Sequence, residues 1–367
     1  MRQAKTSTKP KRAITLGGGG PAAGLHIGVL KKLAQVPITF DVWALSCIGA
    51  WVGIIYNQCD KGNEADQTYE FFRNGVFRDD VSYSRFPINT VFGPDWYGNT
   101  RALIEFLANL DNYGNIWLPD RIMDSFRETA ALLLQGRKWE DGEFNQWVLN
   151  NFMAVNPLSR FLTSMMFLSN INGLSKIYYP DSSFLKKIKF SKLDTAEPYI
   201  YHNAFNLTTP NIQLFSNKKD RYKQITAASL CACSALPYIE GTVDIDGDTY
   251  CEGALVDTVN FKSLLEDHHD FDEIWVSRIV DAKQIHEPRN LGAALGNLCQ
   301  LFAASLGEDD IRLFEYHAIE DNWRGTIVEI HVDANVNFDW SHSNLASGRD
   351  RGIEAADAAH KAYLHTS

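Results

Sequence analysis

Two short segments near the N-terminus combine residue types that could carry out acyl-transfer chemistry. Four consecutive glycines, Gly17–Gly20, follow an apolar run and precede an amphipathic helix pattern. A glycine-rich loop between a strand and a helix presents backbone N–H groups to a negatively charged group. Cys47 follows a second apolar run, Val42–Leu45, and precedes a second apolar helix pattern. Because a sharp strand-to-helix turn exposes a nucleophile above a sheet, the two segments together indicate acyl transfer.

A third motif, Glu252-Gly253-Ala254, follows roughly 200 residues after Cys47. In this order the three motifs resemble those of the patatin-like acyl hydrolases, in the bacterial intracellular branch with a C-terminal extension. That family has a glycine-rich oxyanion loop leading into an H-I-G-V-L helix start, here His26–Leu30. A G-x-S-x-G-A elbow and a D-G-G or D-G-A motif follow. The resemblance covers most of the chain and implies a three-layer α/β/α fold with a mostly parallel central sheet.

The chain departs from the family pattern at four places. When Gly49 is aligned with the second glycine of the elbow, Cys47 stands at the nucleophile and Leu45 at the first glycine. Glu252 replaces the aspartate of the dyad, and Pro21–Ala23 stand where the oxyanion loop has an arginine. The resemblance therefore implies a Cys47–Glu252 dyad. Its oxyanion loop would consist of Gly17, Gly18, Gly19 and Gly20.

Cys47 is predicted to lie at the N-terminus of a helix. The positive end of a helix lowers a cysteine pKa, so we expect a reactive thiolate. Glu252 could take the thiol proton or orient a water from a distance of about 3 Å. Since a thiolate is also a good leaving group, this pair favours thioesters or acyl transfer over phospholipid hydrolysis. We therefore expect an acyl hydrolase or acyltransferase that acts on a lipid ester or thioester.

Alternatives remain open for the two catalytic groups and for the class of function. Ser46 is an alternative nucleophile, although Ile48 fits badly where the turn would then need a small residue. Asp257 is an alternative base on the far side of the Glu252 turn. The other class of function is a catalytically impaired relative that keeps the fold and an apolar cleft. Such a protein would bind lipid, a hydrophobic granule or a partner protein.

Composition excludes several classes of function. A net charge of −10 over 367 residues argues against nucleic-acid binding, which requires dense Lys and Arg. No apolar run reaches the roughly 18 residues of a transmembrane helix. Residues 1–12 are basic and lack the apolar segment of a secretory signal, so we expect a flexible tail. Six cysteines without such a signal indicate a reducing, cytoplasmic compartment, with peripheral contact to a membrane or a lipid or polyester granule left open.

We expect neither a metal nor a cofactor. Cys231 and Cys233 form C-x-C, which lacks the C-x₂-C spacing of zinc sites. His268 and His269 are interpreted as a solvated loop before a strand. Nothing in the sequence indicates an oligomeric state.

Strand patterns alternate with helix patterns, as in a parallel sheet covered by helices on both faces. We assign residues 13–367 to one α/β domain, with a helical cap insertion at 115–172 and a C-terminal extension at 320–367. The Met- and Phe-rich surface of the insertion could hold an acyl chain or contact a membrane. The clearest elements in the second half are strands Tyr199–Phe205, Ile212–Phe215, Asp272–Val280 and Thr326–Val332, and helices Leu291–Leu306 and Asp309–Ile319.

Overall fold

The fold is described from a computed structural model. The structure describes residues 9–36, 38–87, 89, 91, 95–112, 118–135, 141–175, 184–218, 222–261, 264, 270–278, 280–320, 323–332, 337 and 339–366. The strands are β1 Arg12–Leu16, β2 Val42–Leu45, β3 Gly173–Ser175, β4 Tyr199–Asn206, β5 Asn211–Ser216, β6 Lys223–Gln224, β7 Tyr238–Glu240, β8 Val243–Ile245, β9 Asp248–Glu252, β10 Glu273–Arg278 and β11 Thr326–His331.

The α-helices are α1 Ala23–Gln35, α2 Ile48–Gln58, α3 Glu64–Gly75, α4 Asp80–Arg85, α5 Trp96–Ala108, α6 Pro119–Gln135, α7 Asp141–Trp147, α8 Pro157–Leu168, α9 Phe190–Asp194, α10 Ala227–Cys233, α11 Leu291–Glu320 and α12 His342–Thr366. A π-helical segment, Val148–Met153, follows α7. Short 3₁₀ turns lie at Gly20–Ala22, Leu185–Lys187, Gly253–Leu255 and Ala282–Gln284.

One sheet carries nine of the described strands. Its order is β11-β10-β1-β2-β4-β5-β6, with β9 paired to β4 and β8 paired to β9. Strands β11, β10, β1, β2 and β4 are mutually parallel, whereas β5 and β9 run antiparallel to β4. Ile14 at the centre of β1 lies opposite Trp43 on one side and Trp275 on the other. The predicted central, mostly parallel sheet is therefore confirmed.

Alternation of side chains along the strands produces two buried layers, one on each face of the sheet. Ile14 and Leu16 of β1 belong to one buried cluster, together with residues of α1, α2 and α12. Ala13 of the same strand belongs to the other cluster, which includes Ile311 and Phe314 of α11. Because helices cover both faces, the fold is a three-layer α/β/α arrangement, as predicted.

The C-terminal segment belongs to the core of this fold. Strand β11 pairs with β10, and α12 packs along α1. Glycines make this helix contact close: a Cβ at Gly28 would lie 1.9 Å from the carbonyl oxygen of Arg349. We predicted residues 320–367 as an extension, yet they supply an outer strand of the sheet and a partner helix for α1.

Arg12 differs from its prediction as part of a flexible tail. It is the first residue of β1, and its guanidinium Nε lies 2.7 Å from Oε2 of Glu273 in a buried ion pair. Tyr363 of α12 also donates to Glu273, over 2.7 Å. A buried charge needs such partners, and they hold Arg12 in the sheet although we predicted it as part of the tail.

The second half follows the predicted elements with one exception. The strands lie within two residues of the predicted bounds. The two predicted helices, Leu291–Leu306 and Asp309–Ile319, form the single helix α11, Leu291–Glu320. The ion pair of Glu308 with Arg312, four residues apart, supports the helix across the expected break.

The chain divides into two compact units, residues 1–93 with 175–367 and residues 94–174. The sheet lies in the first unit. The second unit contains helices α5–α8, where Phe106 packs edge-on against Phe161 and Asn156 caps α8. The predicted insertion, 115–172, falls within the bounds of this unit, and its role as a cap stays a prediction. Among the helices of the described residues, none combines the length and hydrophobicity that a membrane span needs.

Candidate active site

Cys47 lies at a sharp turn between strand β2 and helix α2. Its backbone has φ 47° and ψ −124°, a conformation that L residues rarely adopt. Such a residue costs about 1–3 kcal/mol and persists only when its surroundings hold it in place. The carbonyl oxygen of Cys47 accepts the N–H of Ala50 over 3.0 Å, which starts the helix directly after the turn. The local geometry is that of an elbow with Cys47 at its apex.

Leu45, which stands where the family elbow has a glycine, is accommodated from the helix. A Cβ at Gly53 would lie 2.7 Å from both terminal methyl carbons of Leu45. The Leu45 side chain therefore occupies the space left by the missing side chain at Gly53. This contact explains how the turn tolerates a fully buried leucine.

The backbone on either side of the turn is held by two buried asparagines. Ser46 donates its hydroxyl to Oδ1 of Asn203 over 2.9 Å, and Nδ2 of Asn203 donates to the carbonyl oxygen of Asp257 over 2.7 Å. Asn260 donates from Nδ2 to the carbonyl oxygen of Leu45 over 2.9 Å. These bonds connect the elbow to the segment that follows Glu252. They also place the two alternative catalytic residues: Ser46 faces Asn203, and the carboxylate of Asp257 accepts the N–H of Phe261.

Strand β4 brings Glu252 to Cys47. Leu45, at the end of β2, lies opposite His202 of β4, whereas Glu252, at the end of β9, lies opposite Ala204. Strands β2 and β9 therefore both end beside β4, opposite residues of β4 that are two positions apart. There the thiol of Cys47 and the carboxyl group of Glu252 lie close enough for each to shift the pKa of the other.

The glycine loop contacts this pair directly. A Cβ at Gly18 would lie 3.3 Å from the Cβ of Cys47 and 4.0 Å from Oε1 of Glu252. A side chain at this position would therefore crowd both groups. The structure brings together three of the predicted site residues, Gly18, Cys47 and Glu252, from three separate parts of the sequence.

Burial decides the protonation of the pair. It raises the pKa of Glu252 to about 7, even though the interaction with the Cys47 thiol favours the carboxylate. Burial also raises the pKa of Cys47 well above the ordinary thiol value, and the adjacent negative charge of Glu252 raises it further. Our prediction that the helix N-terminus lowers this pKa was wrong. The backbone N–H of Ile48 acts in the expected direction, but desolvation and the neighbouring carboxylate outweigh it.

His26 lies beneath the glycine loop. Its Nε2 is 2.9 Å from the carbonyl oxygen of Gly17, and its Nδ1 is 2.9 Å from Oγ of Ser277. Since a carbonyl only accepts, Nε2 carries the proton and Nδ1 accepts from the serine. Complete burial lowers the pKa of His26 to about 4, so the ring is neutral near pH 7. The histidine supports the loop from the side of β10.

A small cavity of about 20 Å³ adjoins the loop, with room for about one water molecule. Gly17 and Gly18 line it together with Thr258 and Arg278, whereas Cys47 and Glu252 do not. We therefore base the chemical interpretation on the proximity of Cys47 and Glu252 and not on this cavity. The cavity is far too small for an acyl chain.

Two supports of the site were missed in the sequence, namely Asn203 and Asn260. Asn203 carried a usable signal, because it is a polar residue within the strand pattern of β4. The structure buries it fully. Asn260 has a positive φ of 58° and gave no comparable signal. Within the described residues, no group of three or more His, Cys, Asp or Glu is arranged to hold a metal ion. His268 and His269 lie outside the described residues.

Fold and site together define a three-layer α/β protein with a nucleophile-type elbow. The family model for patatin-like phospholipases matches residues 14–265. The chain therefore belongs to the patatin-like phospholipase family, and lipid hydrolysis is the activity that this description gives at the family level. No curated protein matches the chain. Among solved structures, the chain is similar to VipD from Legionella pneumophila, with 12% identity and a TM-score of 0.39, over 96% of this chain and 67% of that one.

Proposed function

We propose that the chain is an acyl hydrolase or acyltransferase that acts on a lipid ester or thioester. In this proposal Cys47 is the nucleophile, Glu252 is the base, and Gly17–Gly20 form the oxyanion loop. The observation that carries it is the meeting of three segments at the elbow: a Cβ on Gly18 would lie 3.3 Å from the Cβ of Cys47 and 4.0 Å from Oε1 of Glu252.

The arrangement supports a concerted first step. Glu252 takes the thiol proton while the sulfur attacks the acyl carbonyl carbon, so no free thiolate is required in the resting protein. Backbone N–H groups of the glycine loop stabilise the negative oxygen of the intermediate. Each such donor is worth about 2.7–4 kcal/mol in other enzymes. Collapse of the intermediate transfers the proton to the leaving alcohol or thiol and leaves an acyl group on Cys47.

The second step releases the acyl group. Glu252, again unprotonated, takes a proton from water or from an acceptor alcohol, which attacks the thioester on Cys47. Water gives hydrolysis and an alcohol gives acyl transfer. A thiol leaves an intermediate more readily than an alkoxide does, and the sulfur of Cys47 competes with that leaving group. We therefore propose thioesters as better substrates than oxygen esters of the same acyl chain.

Matched substrates test this proposal. An acyl thioester and the corresponding oxygen ester are compared with the wild type, Cys47→Ala and Glu252→Gln. We expect Cys47→Ala to lower kcat at least about 1,000-fold, because the nucleophile is lost. Cys231→Ala, at a buried cysteine of α10, is the matched control and keeps the activity of the wild type. Equal turnover by Cys47→Ala and the wild type would exclude Cys47 as the nucleophile.

The pH dependence tests the role of Glu252. A general base must be unprotonated, so activity rises with pH through an inflection near 7, the raised pKa of Glu252. Glu252→Gln removes this inflection. A wild-type rate that is flat between pH 6 and about 8 under saturating substrate would contradict the role of base.

A second candidate function is supported by the burial of the pair. Cys47 and Glu252 are 7% and 6% exposed, and the adjoining cavity does not admit an acyl chain. The second unit exposes large apolar side chains, for example Phe126 and Phe167. These observations favour a catalytically impaired family member that binds lipid, a hydrophobic granule or a partner protein. Vesicle binding without turnover of either substrate class is the result expected for this alternative.

A further inference from the structure

Cys233 lies against the backbone of Cys47. The N–H of Cys47 points at the sulfur of Cys233, with 3.1 Å between nitrogen and Sγ. Standard bond lengths put that sulfur about 4 Å from the Cα of Cys47. Disulfides join residues whose Cα atoms lie about 4.4–6.8 Å apart, a range that this contact allows. Both cysteines are free thiols, and both are buried.

Helix α10 holds Cys233 in this position. The helix begins with a capping box in which Thr226 and Ser229 satisfy each other's backbone N–H groups. Near its end, Oγ of Ser234 accepts the indole N–H of Trp51 in α2 over 3.1 Å. Helix α2, which begins directly after Cys47, and the end of helix α10, which carries Cys233, are therefore joined next to the contact.

We propose that Cys47 and Cys233 form a redox modification site, at which a hydroperoxide converts the two thiols into a reversible disulfide. The bond forms whether or not the chain is an acyl transferase. Its effect on activity rests on the proposed function, because the disulfide would occupy the sulfur that attacks the acyl group.

The reaction balances with the hydroperoxide as the only oxidant. The sulfur of Cys47 attacks the terminal peroxide oxygen, so an S–O bond forms while the O–O bond breaks. The thiol proton passes through Glu252 to the departing oxygen, which leaves as an alcohol from an alkyl hydroperoxide or as water from hydrogen peroxide, and Cys47 becomes a sulfenic acid. The sulfur of Cys233 then attacks the sulfenic sulfur. The S–S bond forms, and hydroxide leaves with the Cys233 proton as water.

Neighbouring cysteines are less suited to resolve the sulfenic acid. Cys251 precedes Glu252 in strand β9, so its side chain points to the opposite face of the strand. Cys231 lies two residues before Cys233, which places it roughly 200° around the helix. Cys299 of α11 is close enough to Glu252 for its pKa to be raised by that carboxylate, although burial is the larger cause. It is therefore the competitor that the experiment must distinguish.

The test maps disulfides in the full-length chain. The protein is treated with hydrogen peroxide, free thiols are alkylated, and the chain is digested with trypsin, Glu-C and chymotrypsin. Cleavage at Trp51 and Glu240 separates Cys47 from Cys59, and Cys233 from Cys251. A Cys231→Ser variant removes the remaining ambiguity within C-x-C. We expect a Cys47–Cys233 linked peptide that dithiothreitol releases.

Two variants make the outcome decisive. Cys233→Ala should leave Cys47 as sulfenic or sulfinic acid, whereas Cys299→Ser should give the same linked peptide as the wild type. A Cys47–Cys299 link, or equal over-oxidation of Cys47 in the wild type and in Cys233→Ala, would overturn the proposal. The wild-type map alone decides the matter if Cys233→Ala does not fold.

Activity is a separate readout. If the proposed function holds, turnover falls in step with the linked peptide and returns with dithiothreitol. If the link forms in a chain without turnover, the redox site stands and the acyl-transfer proposal fails.

Discussion

The two compact units differ in how far their large apolar side chains are buried. In the first unit, Trp51, Trp275 and Phe72 are at most 1% exposed. In the second unit, Phe126 and Phe167 are 71% and 75% exposed, although they lie in helices with equally clear apolar periodicity. Periodicity therefore predicts that a helix forms, but not that its apolar face is covered.

Packing of the apolar side chains in the first unit holds the residues of the candidate site in place. The elbow at Cys47 can keep its unfavourable backbone conformation because Leu45, Ser46 and Gly53 are packed or hydrogen-bonded around it. The second unit has few buried side chains of comparable size among its described residues. We infer that the first unit positions chemical groups, whereas the second presents an apolar surface.

The largest expected difference between the units is the effect of removing one aromatic ring. Trp51→Ala should lower the free energy of unfolding by about 3–5 kcal/mol, because it leaves a cavity and strips Ser234 of its donor. Phe126→Ala in the second unit should change it by less than about 0.5 kcal/mol. Urea denaturation measures both. Similar losses for the two variants would show that exposure does not separate the units.

The next effect is electrostatic and arises from the buried carboxyl group of Glu252. Glu252 has a pKa of about 7 in the folded chain against an ordinary value of 4.5, so its stabilising contribution is complete below about pH 4.5 and is lost as pH rises through 7. Glu252→Gln avoids burying a charge and should raise stability at pH 8 by up to about 3 kcal/mol. Denaturation at pH 5 and 8 measures the change.

Two carboxyl groups help to interpret that measurement. Burial raises the pKa of Asp310 to about 7 as well, so Glu252→Gln removes only part of the pH dependence of the wild type. Glu128→Gln, at an exposed position of α6, is the matched control and should leave the profile unchanged. If Glu252→Gln destabilises the protein at pH 8, the carboxylate is better stabilised in the site than its burial indicates.

Adding a single methyl group at a glycine should also change the stability differently in the two units, by a smaller amount. Gly53→Ala places a Cβ against the Leu45 side chain and should cost about 1–3 kcal/mol. Gly142→Ala, in helix α7 of the second unit, meets nothing within 4 Å and should stabilise the chain by up to about 1 kcal/mol. Combining Gly53→Ala with Leu45→Ala tests the contact, because the smaller residue makes room. Additive losses in this double variant would mean that the two residues are not coupled.

Local sequence patterns predicted the fold well where they coincide with local structure. The glycine loop, the elbow and strand β10 are contiguous segments, and each was placed within two residues. The partners of those segments are distant in sequence. Asn203 reaches Ser46 from a strand 157 residues away, and Asn260 reaches the carbonyl oxygen of Leu45 from 215 residues away. No contiguous pattern contains such pairs.

The protonation of the site could not be predicted because it depends on the balance of two opposing effects. The sequence correctly placed Cys47 at a helix N-terminus, where the helix favours a thiolate. It could not indicate that Cys47 is 7% exposed, nor that the buried carboxyl group of Glu252 lies near enough to raise the pKa of the thiol. Desolvation then outweighs the helix. Burial is a property of the assembled layers, which is why it escaped a motif-based prediction.

A small stability effect is also expected on the exposed face of α8. Met166 and Phe167 are 69% and 75% exposed, so replacing both by serine should change the free energy of unfolding by no more than about 1 kcal/mol. The same replacement should reduce binding to phosphatidylcholine vesicles severalfold in a sedimentation assay, since it removes apolar area that a lipid surface would cover. Leu207→Ser, at a half-exposed turn of the first unit, is the matched control and should leave vesicle binding unchanged. A large loss of stability with unchanged vesicle binding would mean that this face contributes to folding. The statement that the second unit presents an apolar surface would then be wrong for α8.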